Sequence, residues 1–405
     1  MVNENEVVRW LTELGIDSAD IPDDWKRNVG ASEEAFSPSH TPFFLEAAYL
    51  EKACLYTAIS QEYWEPIQQT AALIRSSLPL AKLACLWHTM LFIRRDITHS
   101  WPLPVGFGEE LADWFPMVVL LSGCDHVKRL YAERGIPEPV VRDTLWDVNN
   151  GIHLIEERYG LPGLNLRLMH WLSNHFRAEL YKLGRLQFGI RKIGNYLHAY
   201  RHKETGETIA LSAAGHRYRQ DGLIDGTNKV FDPEYGWVAV YTVDESTVTG
   251  HPISTEGYAS QSTVTLLLDE WELALSPGDT VFDCHIPAQG RLTPELADES
   301  YRLALDFFPR YYPELTFKAY TCYSWLLDPQ LRSLLPADSN IVKFQLSYSL
   351  FPIGGGDDSF FYFVFMCDPC EPHAIPATSS IQQTIKRYML DGGRMRAMGG
   401  FFLAR

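Results

Sequence analysis

The spacing of hydrophobic residues changes about halfway along the chain. Up to about residue 184, apolar side chains recur every three or four positions, the spacing that buries one face of an α-helix. Segments that contain Pro or Gly, such as GIPEP and GLPGL, separate the helical stretches. These stretches are NENEVVRWLTELG, TPFFLEAAYLEKACLYTAI, LPLAKLACLWHTMLFIRRDI, VVRDTLWDVNNGIHLIEERYG and LNLRLMHWLSNHFRAELYKLG. The first half is therefore predicted to be a helical domain.

After Gly184 the pattern becomes typical of β-strands. Apolar and polar positions alternate over part of RLQFGIRKIGNYLHAYRH, and KETGETIAL supplies a turn followed by residues that favour strands. Further strands are predicted at GWVAVYTV, STVTLLL, WELAL and TVFDCHI. Polar or Gly-containing turns separate these strands, which indicates an antiparallel arrangement.

The last third combines helices with strands. A helix is predicted from Pro294 to about Phe308, with Thr293 as its N-cap. The other elements are a strand at FKAYTCYSWLL, a short helix at DPQLRSLL capped by Asp328, two strands at NIVKFQLSYSLF and SFFYFVFM joined by a hairpin turn at PIGGGDD, and a helix at SSIQQTIKRYML before a short tail. The predicted fold class is α+β, with a helical domain at residues 1–184 and a mixed, mostly antiparallel sheet domain at residues 185–405.

Composition and charge exclude several classes of partner. The 405 residues include 35 Lys and Arg against 51 Asp and Glu, a formal charge of -16, so a nucleic acid would be repelled over most of the surface. The seven cysteines do not follow a disulfide pattern. The N-terminus lacks the pattern of a signal peptide, and the longest apolar run, WFPMVVLL, is much shorter than a membrane span. We expect a cytoplasmic protein without nucleic-acid or membrane partners; its oligomeric state stays open.

One joint between a strand and a helix, DTVFDCHIPAQGRLTPELADES, carries candidate chemistry. The first N–H groups of a helix lack partners and form a natural site for phosphate, which Gly290 would let approach and Arg291 would pair with. His285, at the strand end, is a candidate general base. The alternative is that Gly290 is an ordinary turn and His285 a hydrogen-bonded histidine at the edge of the core.

A second joint, CYSWLLDPQL, offers possible nucleophiles. If its strand neighbours the strand of His285, Cys322 or Ser324 reaches the same cleft, and either one with His285 and Asp328 would make a hydrolase-like set. No G-x-S-x-G motif accompanies them, and a cysteine within an apolar strand is more often inert core.

A metal site is not predicted. Cys367, Cys370 and His373 in CDPCEPH have a spacing like that of zinc ligands, but no second C-x-x-C pair completes a set of four. Two unlinked thiols in a loop explain this segment better.

Four segments together carry a resemblance to a known family. HIPAQGRLTPELADES, CYSWLLDPQL, SNIVKFQLSYSLF and SSIQQTIKRYMLDGGRMRAMGGFFL resemble the GNAT-like domain of bacterial two-domain acyltransferases, and the helical half is similar to their N-terminal domain. The resemblance implies that acyl-CoA lies between a strand at 281–286 and a splayed partner at 317–327, with His285 facing the thioester. It implies that the cofactor-binding residues are Ile286, Gln289, Gly290, Arg291, Leu292 and Thr293.

The resemblance also implies an activity. The expected reaction is transfer of an acyl group from acetyl-CoA or another acyl-CoA to an amine, or less readily a hydroxyl, of a small molecule or a protein. The chain departs from the family pattern in two places: the loop has one glycine instead of two, and DPQLRSLLPADS lacks the tyrosine that protonates the leaving thiolate. Tyr323, Ser324 or Cys322 would have to replace that tyrosine, or water would have to protonate the thiolate. A non-catalytic module that binds CoA is the main alternative, followed by a hydrolase that uses Cys322 or Ser324.

Overall fold

The helical pattern of the first half corresponds to helices in the structure, a computed structural model that describes residues 4–36, 41–95, 101–105, 109–288 and 290–404. The chain divides into two compact units, Met1–Lys182 and Leu183–Arg405. The helices of the first unit are α1 (Glu4–Glu13), α2 (Asp23–Ala35), α3 (Ala47–Tyr56), α4 (Trp64–Ser76), α5 (Leu78–His88), α6 (Glu109–Leu121), α7 (Cys124–Arg134), α8 (Glu138–Leu145), α9 (Asp147–Tyr159) and α10 (Leu166–Phe176). Short 3₁₀ turns lie at Ser18–Asp20, Phe43–Leu45 and Gln61–Tyr63, and a π-helical turn at Thr89–Arg94 extends α5.

Aromatic side chains fill part of the core of this unit. The ring of Trp25 lies 6.0 Å from that of Trp87 and 6.1 Å from that of Trp101, and the latter two lie 5.0 Å apart. All three are buried, so the contact joins α2 and α5 to the segment after α5. Among the described residues, no single helix is long and apolar enough to cross a membrane. Gln61–Ser76 and Leu78–Arg94 meet that test only as a pair, which is bent by 113°.

The second unit is built on β-sheets. Its strands, with one at the boundary, are β1 (Leu180–Leu183), β2 (Leu186–Lys192), β3 (Leu197–His202), β4 (Thr208–Ser212), β5 (Arg217–Tyr218), β6 (Trp237–Val238), β7 (Tyr241–Val243), β8 (Thr247–Gly250), β9 (Pro252–Ile253), β10 (Val264–Leu267), β11 (Trp271–Leu275), β12 (Thr280–His285), β13 (Phe317–Ser324), β14 (Ser349–Phe351) and β15 (Met398–Leu403). Its helices are α11 (Pro294–Tyr311), α12 (Leu331–Leu334), α13 (Asn340–Leu346), α14 (Asp358–Phe360) and α15 (Ser380–Leu390). The 3₁₀ turns lie at Thr227–Lys229, Trp325–Leu327 and Pro372–Ala374, and a π-helical turn lies at Phe361–Phe365.

The main sheet of this unit has the strand order β2-β12-β13-β15-β14. Its pairs are antiparallel except for β12 and β13, which run parallel and are connected through α11. Between β2 and β12 the chain inserts smaller antiparallel sheets, among them β11-β3-β4-β9 and β10-β8-β7. The predicted α+β class, a helical part followed by a mixed and mostly antiparallel sheet, is therefore confirmed.

Each face of the main sheet packs against a different layer. On one face, Phe282 contacts Phe308 of α11, with ring centroids 5.2 Å apart. On the other face, Val281 and Ala319 share a buried cluster with residues of the inserted strands such as Leu275. Alternate residues of β12 therefore face different layers, which decides where each candidate side chain points.

Two predicted strands are wrong. NIVKFQLSYSLF forms the helix α13 before the short strand β14, because Ser339 caps the helix by accepting the N–H of Val342 at 3.3 Å. SFFYFVFM forms α14 and the π-helical turn, because Phe360, Phe361, Val364 and Phe365 bury one helical face. The hairpin turn predicted at PIGGGDD is wrong for the same reason, since a helix and not a strand follows it.

The C-terminal segment that was predicted as a short tail contains a strand. It forms β15, which lies between β13 and β14 in the main sheet. Two glycines weakened the strand signal, and close packing explains them: a Cβ on Gly399 would lie 2.3 Å from the ring of Phe351, and one on Gly400 would lie 2.8 Å from Leu327.

Candidate active site

The strand β12 ends in a hydrogen-bonded pair of ionisable side chains. Asp283 and His285 are two positions apart, so both point to the same face of the sheet. The Nε2 atom of His285 lies 3.1 Å from Oδ2 of Asp283. Since an ionised carboxylate only accepts hydrogen bonds, His285 donates its Nε2 proton to Asp283, and in the neutral ring this leaves the lone pair on Nδ1. Asp283 therefore orients the imidazole and sets its tautomer.

An arginine and a tyrosine complete this cluster. Nη1 of Arg191, on β2, lies 3.2 Å from the same Oδ2 of Asp283, and its guanidinium lies 4.8 Å from the ring centroid of Tyr323 on β13. Burial opposes ionisation of Asp283, but His285 and Arg191 outweigh it and hold the pKa of this carboxyl below its usual value. Burial raises the pKa of Tyr323 well above its usual range, against the effect of Arg191, so its hydroxyl stays protonated.

The parallel strands separate beside this cluster. Their pairing runs from Thr280 and Phe317 to Cys284 and Cys322 and goes no further. His285 still pairs with Gln187 of β2 on its other side, and β13 still pairs with β15 through Ser324. The gap after Cys284 and Cys322 is therefore a local opening in an otherwise continuous sheet.

Several buried polar atoms face this opening. Gln187, Asp283, Thr321 and Tyr323 occupy the face of the sheet that carries His285. Asp283 Oδ1, Thr321 Oγ1, Tyr323 Oη and Gln187 Nε2 are buried without a hydrogen-bond partner among the described residues. Buried polar groups are seldom left unpaired in a folded protein, so this cluster has the character of a site that binds a polar ligand.

The other two predicted catalytic residues lie elsewhere. Cys322 is fully buried on the opposite face of the sheet, next to Cys284, and a hydrogen bond with this thiol together with burial raises the pKa of Cys322 well above its usual value. The hydroxyl of Ser324 accepts the N–H of Leu326 at 3.1 Å and caps the 3₁₀ turn that follows. The structure thus brings Tyr323 to the face of His285 but places Cys322 and Ser324 in local structural roles.

The predicted phosphate-binding loop follows β12 directly. Gly290 has a φ of +87°, a left-handed conformation that favours glycine. Arg291 and Gly290 are exposed, while Ile286 and Leu292 are half-buried. The side chain of Thr293 accepts the N–H of Leu296 at 3.4 Å as the N-cap of α11, as predicted for the cap. Gln289, the remaining predicted cofactor residue, lies outside the described residues.

Arg185, on the turn before β2, makes hydrogen bonds to the backbone of this loop. Its Nη2 donates to the carbonyl oxygens of Pro287 at 2.9 Å and Gly290 at 3.0 Å, and its Nε donates to that of Arg291 at 3.0 Å. Sequence analysis did not single out Arg185 because it is more than a hundred positions from the loop. It also missed Asp283, although a carboxylate two positions before His285 in a strand is expected on the same face of the sheet. Arg191 was missed as well, because nothing in the sequence around it indicates a role.

The described part of the chain contains no group of three or more His, Cys, Asp or Glu side chains placed to hold a metal ion. Cys367, Cys370 and His373 therefore form no such group. All seven cysteines are free thiols.

The strand order, the single parallel pair and the opening beside it define a GNAT-like domain, and family comparisons agree. A family described as a GNAT-like C-terminal domain matches residues 180–402, and one described as an N-acyltransferase N-terminal domain matches residues 48–178. The chain belongs to the two-domain acyltransferase family that combines these domains. The resemblance read from the sequence is confirmed.

Solved acyltransferase structures have the same fold. One is an acyltransferase in complex with decanoyl-CoA and teicoplanin, at 21% identity and a TM-score of 0.67. Two others, at 22% identity and the same TM-score of 0.67, are an acyltransferase in complex with CoA and 10C-teicoplanin and an acyltransferase mutant in complex with octanoyl-CoA. Each comparison covers 100% of both chains. The curated proteins gave no match.

Proposed function

We propose that this protein transfers an acyl group from acyl-CoA to an amine of a small-molecule acceptor, with His285 as general base. The observation that carries the proposal is the hydrogen bond between His285 and buried Asp283 at the opening between β12 and β13. A fixed imidazole with its lone pair on Nδ1 is suited to take a proton from an attacking amine. Family membership supports acyl transfer as the reaction.

The residues of the cluster account for the chemistry in two steps. The amine nitrogen attacks the thioester carbon while His285 takes its proton, and the bond between carbon and sulfur then breaks. The leaving thiolate takes the proton of the Tyr323 hydroxyl, giving free CoA and an amide, and Tyr323 regains a proton from His285 through solvent. Tyr323 would thus replace the missing family tyrosine, since α12 contains none.

The loop after β12 is the proposed binding site for the CoA pyrophosphate. Its residues are Ile286, Gln289, Gly290, Arg291, Leu292 and Thr293, as expected from the sequence. The left-handed Gly290 supports this assignment, as do the backbone N–H groups of Arg291 and Leu292, which have no partner among the described residues and lie directly before α11. We place the catalytic domain at residues 185–405 and the acyltransferase N-terminal domain at residues 1–184.

The choice of donor and acceptor follows from the solved relatives. Structures with octanoyl-CoA and decanoyl-CoA make medium-chain acyl-CoAs the first donors to test, beside acetyl-CoA. The structures with teicoplanin and 10C-teicoplanin make a small molecule a reasonable class of acceptor. A hydroxyl acceptor is the weaker expectation because it is the less nucleophilic group.

Release of free thiol from acyl-CoA, measured with a panel of amines, tests the proposal. We expect turnover in the wild type and its loss in His285→Ala, with CoA binding retained. His373→Ala is the matched control, because His373 is exposed on a surface turn. If CoA raises the melting temperature but no amine releases thiol, the protein is a non-catalytic CoA-binding module. An unchanged rate in His285→Ala would remove His285 from the mechanism.

A further inference from the structure

Arg185 is fixed in place by its own backbone. The hydroxyl of buried Ser300, on α11, accepts the N–H groups of Arg185 at 2.8 Å and Leu186 at 3.2 Å. Gly184 allows this close approach: it has a φ of +70°, and a Cβ there would lie 2.9 Å from Ser300 Oγ. These hydrogen bonds fix the backbone of the turn before β2 against α11. They therefore fix the position from which the Arg185 side chain reaches the β12–α11 loop (Pro287, Ala288 and residues 290–293).

Hydrogen bonds from the Arg185 guanidinium direct three carbonyl groups of the loop toward Arg185. The guanidinium accepts no bonds and donates to three carbonyl oxygens, those of Pro287, Gly290 and Arg291. The peptide bonds of the described residues include no cis bonds, and in a trans peptide the N–H points opposite to the preceding C=O. The N–H groups of Ala288, Arg291 and Leu292 consequently point away from Arg185.

These three N–H groups have no hydrogen-bond partner among the described residues. Amides that point to one side form a concave site for an anion, and the dipole of α11, which begins directly after the loop, adds positive partial charge beside them.

The charge of Arg185 points to an anion as well. Among the described residues it forms no ion pair, and its Nη1 is buried without a hydrogen-bond partner. A guanidinium stays protonated at neutral pH, so the half-buried charge is not balanced by a carboxylate. An anion bound on the side of the loop opposite Arg185 would be close enough to balance the charge of its guanidinium, because the half-buried surroundings screen the interaction less than bulk water does.

We propose that Arg185 is a positioning residue that shapes the β12–α11 loop into the binding site for the pyrophosphate of acyl-CoA. This inference rests on the proposed function. Arg185 acts through the loop: it holds the carbonyls so that the amides meet the ligand. It therefore governs affinity for the nucleotide end of CoA and leaves the chemistry at His285 unchanged.

The test compares two donors that differ in the group recognised by the loop. Arg185→Met keeps much of the side-chain length without hydrogen bonds or charge, and Arg185→Lys keeps the charge but not the fork of donors. Arg201→Met is the control, because the exposed side chain of Arg201 forms a surface ion pair with Glu272. Calorimetry measures CoA binding, and steady-state kinetics compare acyl-CoA with the matching acyl-pantetheine, which lacks the pyrophosphate and nucleotide.

We expect Arg185→Met to weaken CoA binding and raise KM for acyl-CoA by about tenfold or more, with kcat and the turnover of acyl-pantetheine nearly unchanged. Arg185→Lys should fall between Arg185→Met and wild type, and Arg201→Met should match wild type. Equal losses with both donors would indicate a general structural role and overturn the inference, as would wild-type CoA affinity in Arg185→Met. If the wild type does not use acyl-pantetheine, two other measurements on Arg185→Met test the inference. Weaker CoA binding with an unchanged melting temperature in the absence of ligand would support it, and a lowered melting temperature with wild-type CoA affinity would overturn it. Failure of the wild type itself to bind CoA would instead contradict the proposed function.

Discussion

The imidazole of His285 and the carboxylate of Asp283 form a hydrogen bond of 3.1 Å on one face of β12. If this pair is the general base and its orienting group, Asp283→Asn should lower kcat by about 100-fold, since an amide no longer enforces the reactive tautomer. CoA affinity should change little because the side chain of Asp283 bonds to Arg191 and His285 and not to the described residues of the loop. Single-turnover rates at saturating acyl-CoA measure the effect, and a rate within about threefold of wild type would argue against the role of Asp283.

The same pair predicts how stability depends on pH. His285 and Arg191 hold the pKa of Asp283 below its usual value of about 4 despite burial. The resulting stabilisation is complete above the unfolded-state pKa and is lost as the pH falls through the lower folded-state pKa. Urea unfolding of wild type and Asp283→Asn from pH 6 to pH 3 should therefore show a difference in unfolding free energy that shrinks toward acid pH.

Asp269→Asn serves as the control for this series, because Asp269 is an exposed residue in the turn between β10 and β11. Its difference from wild type should stay constant over the range. A constant difference for Asp283→Asn as well would contradict the predicted link between its ionisation and folding.

Local signals in the sequence were enough for the elements that form the site. A short apolar run that ends in His285 marked β12, and the Thr293 cap with Pro294 marked the start of α11, as the structure shows. The failures occurred where tertiary packing decides. The aromatic run at 359–366 suits a strand by composition, yet it becomes helical because its side chains pack against Ile385 and Met389 of α15.

Long-range contacts explain what the sequence could not reveal about the site. Arg185 and the loop that it holds are separated by more than a hundred residues, and Arg191 reaches Asp283 across 92 positions. Neither arginine sits in a recognisable motif. Only the sheet pairing, which places β2 beside β12, brings these side chains together.

The strand β15 provides a test of packing. A Cβ on Gly399 would lie 2.3 Å from the ring of Phe351, which is fully buried in an apolar cluster and has little room to move. Gly399→Ala should therefore lower the free energy of unfolding by about 1–3 kcal/mol. Gly354→Ala is the control, since the nearest side-chain atom to its Cβ among the described residues, on Ile224, would be 3.9 Å away. Equal stabilities of the two variants in urea would contradict this account of β15.

Thiol labelling distinguishes acyl transfer to an external amine from a thiol mechanism. Cys284 and Cys322 are fully buried, and the pKa of Cys322 is raised, whereas Cys370 is exposed. Iodoacetamide should modify Cys370 in the native protein and leave Cys322 unmodified, with acyl transfer retained. Peptide mass spectrometry measures the sites of modification. Loss of activity that follows alkylation of Cys322 would support a thiol nucleophile instead.

Two glycines with the same backbone conformation separate stability from ligand binding. Gly290 in the loop and Gly278 in the turn before β12 both have a φ of +87°. A Cβ would meet only the Arg185 side chain, at 3.7 Å, in the first case and no atom within 4 Å in the second. Both alanine variants should thus lose about 1 kcal/mol of stability from the left-handed backbone alone. Only Gly290→Ala should also weaken CoA binding, because relaxing its backbone would turn the loop amides away from the pyrophosphate. Equal CoA affinities of the two variants in calorimetry would show that the loop does not bind the pyrophosphate.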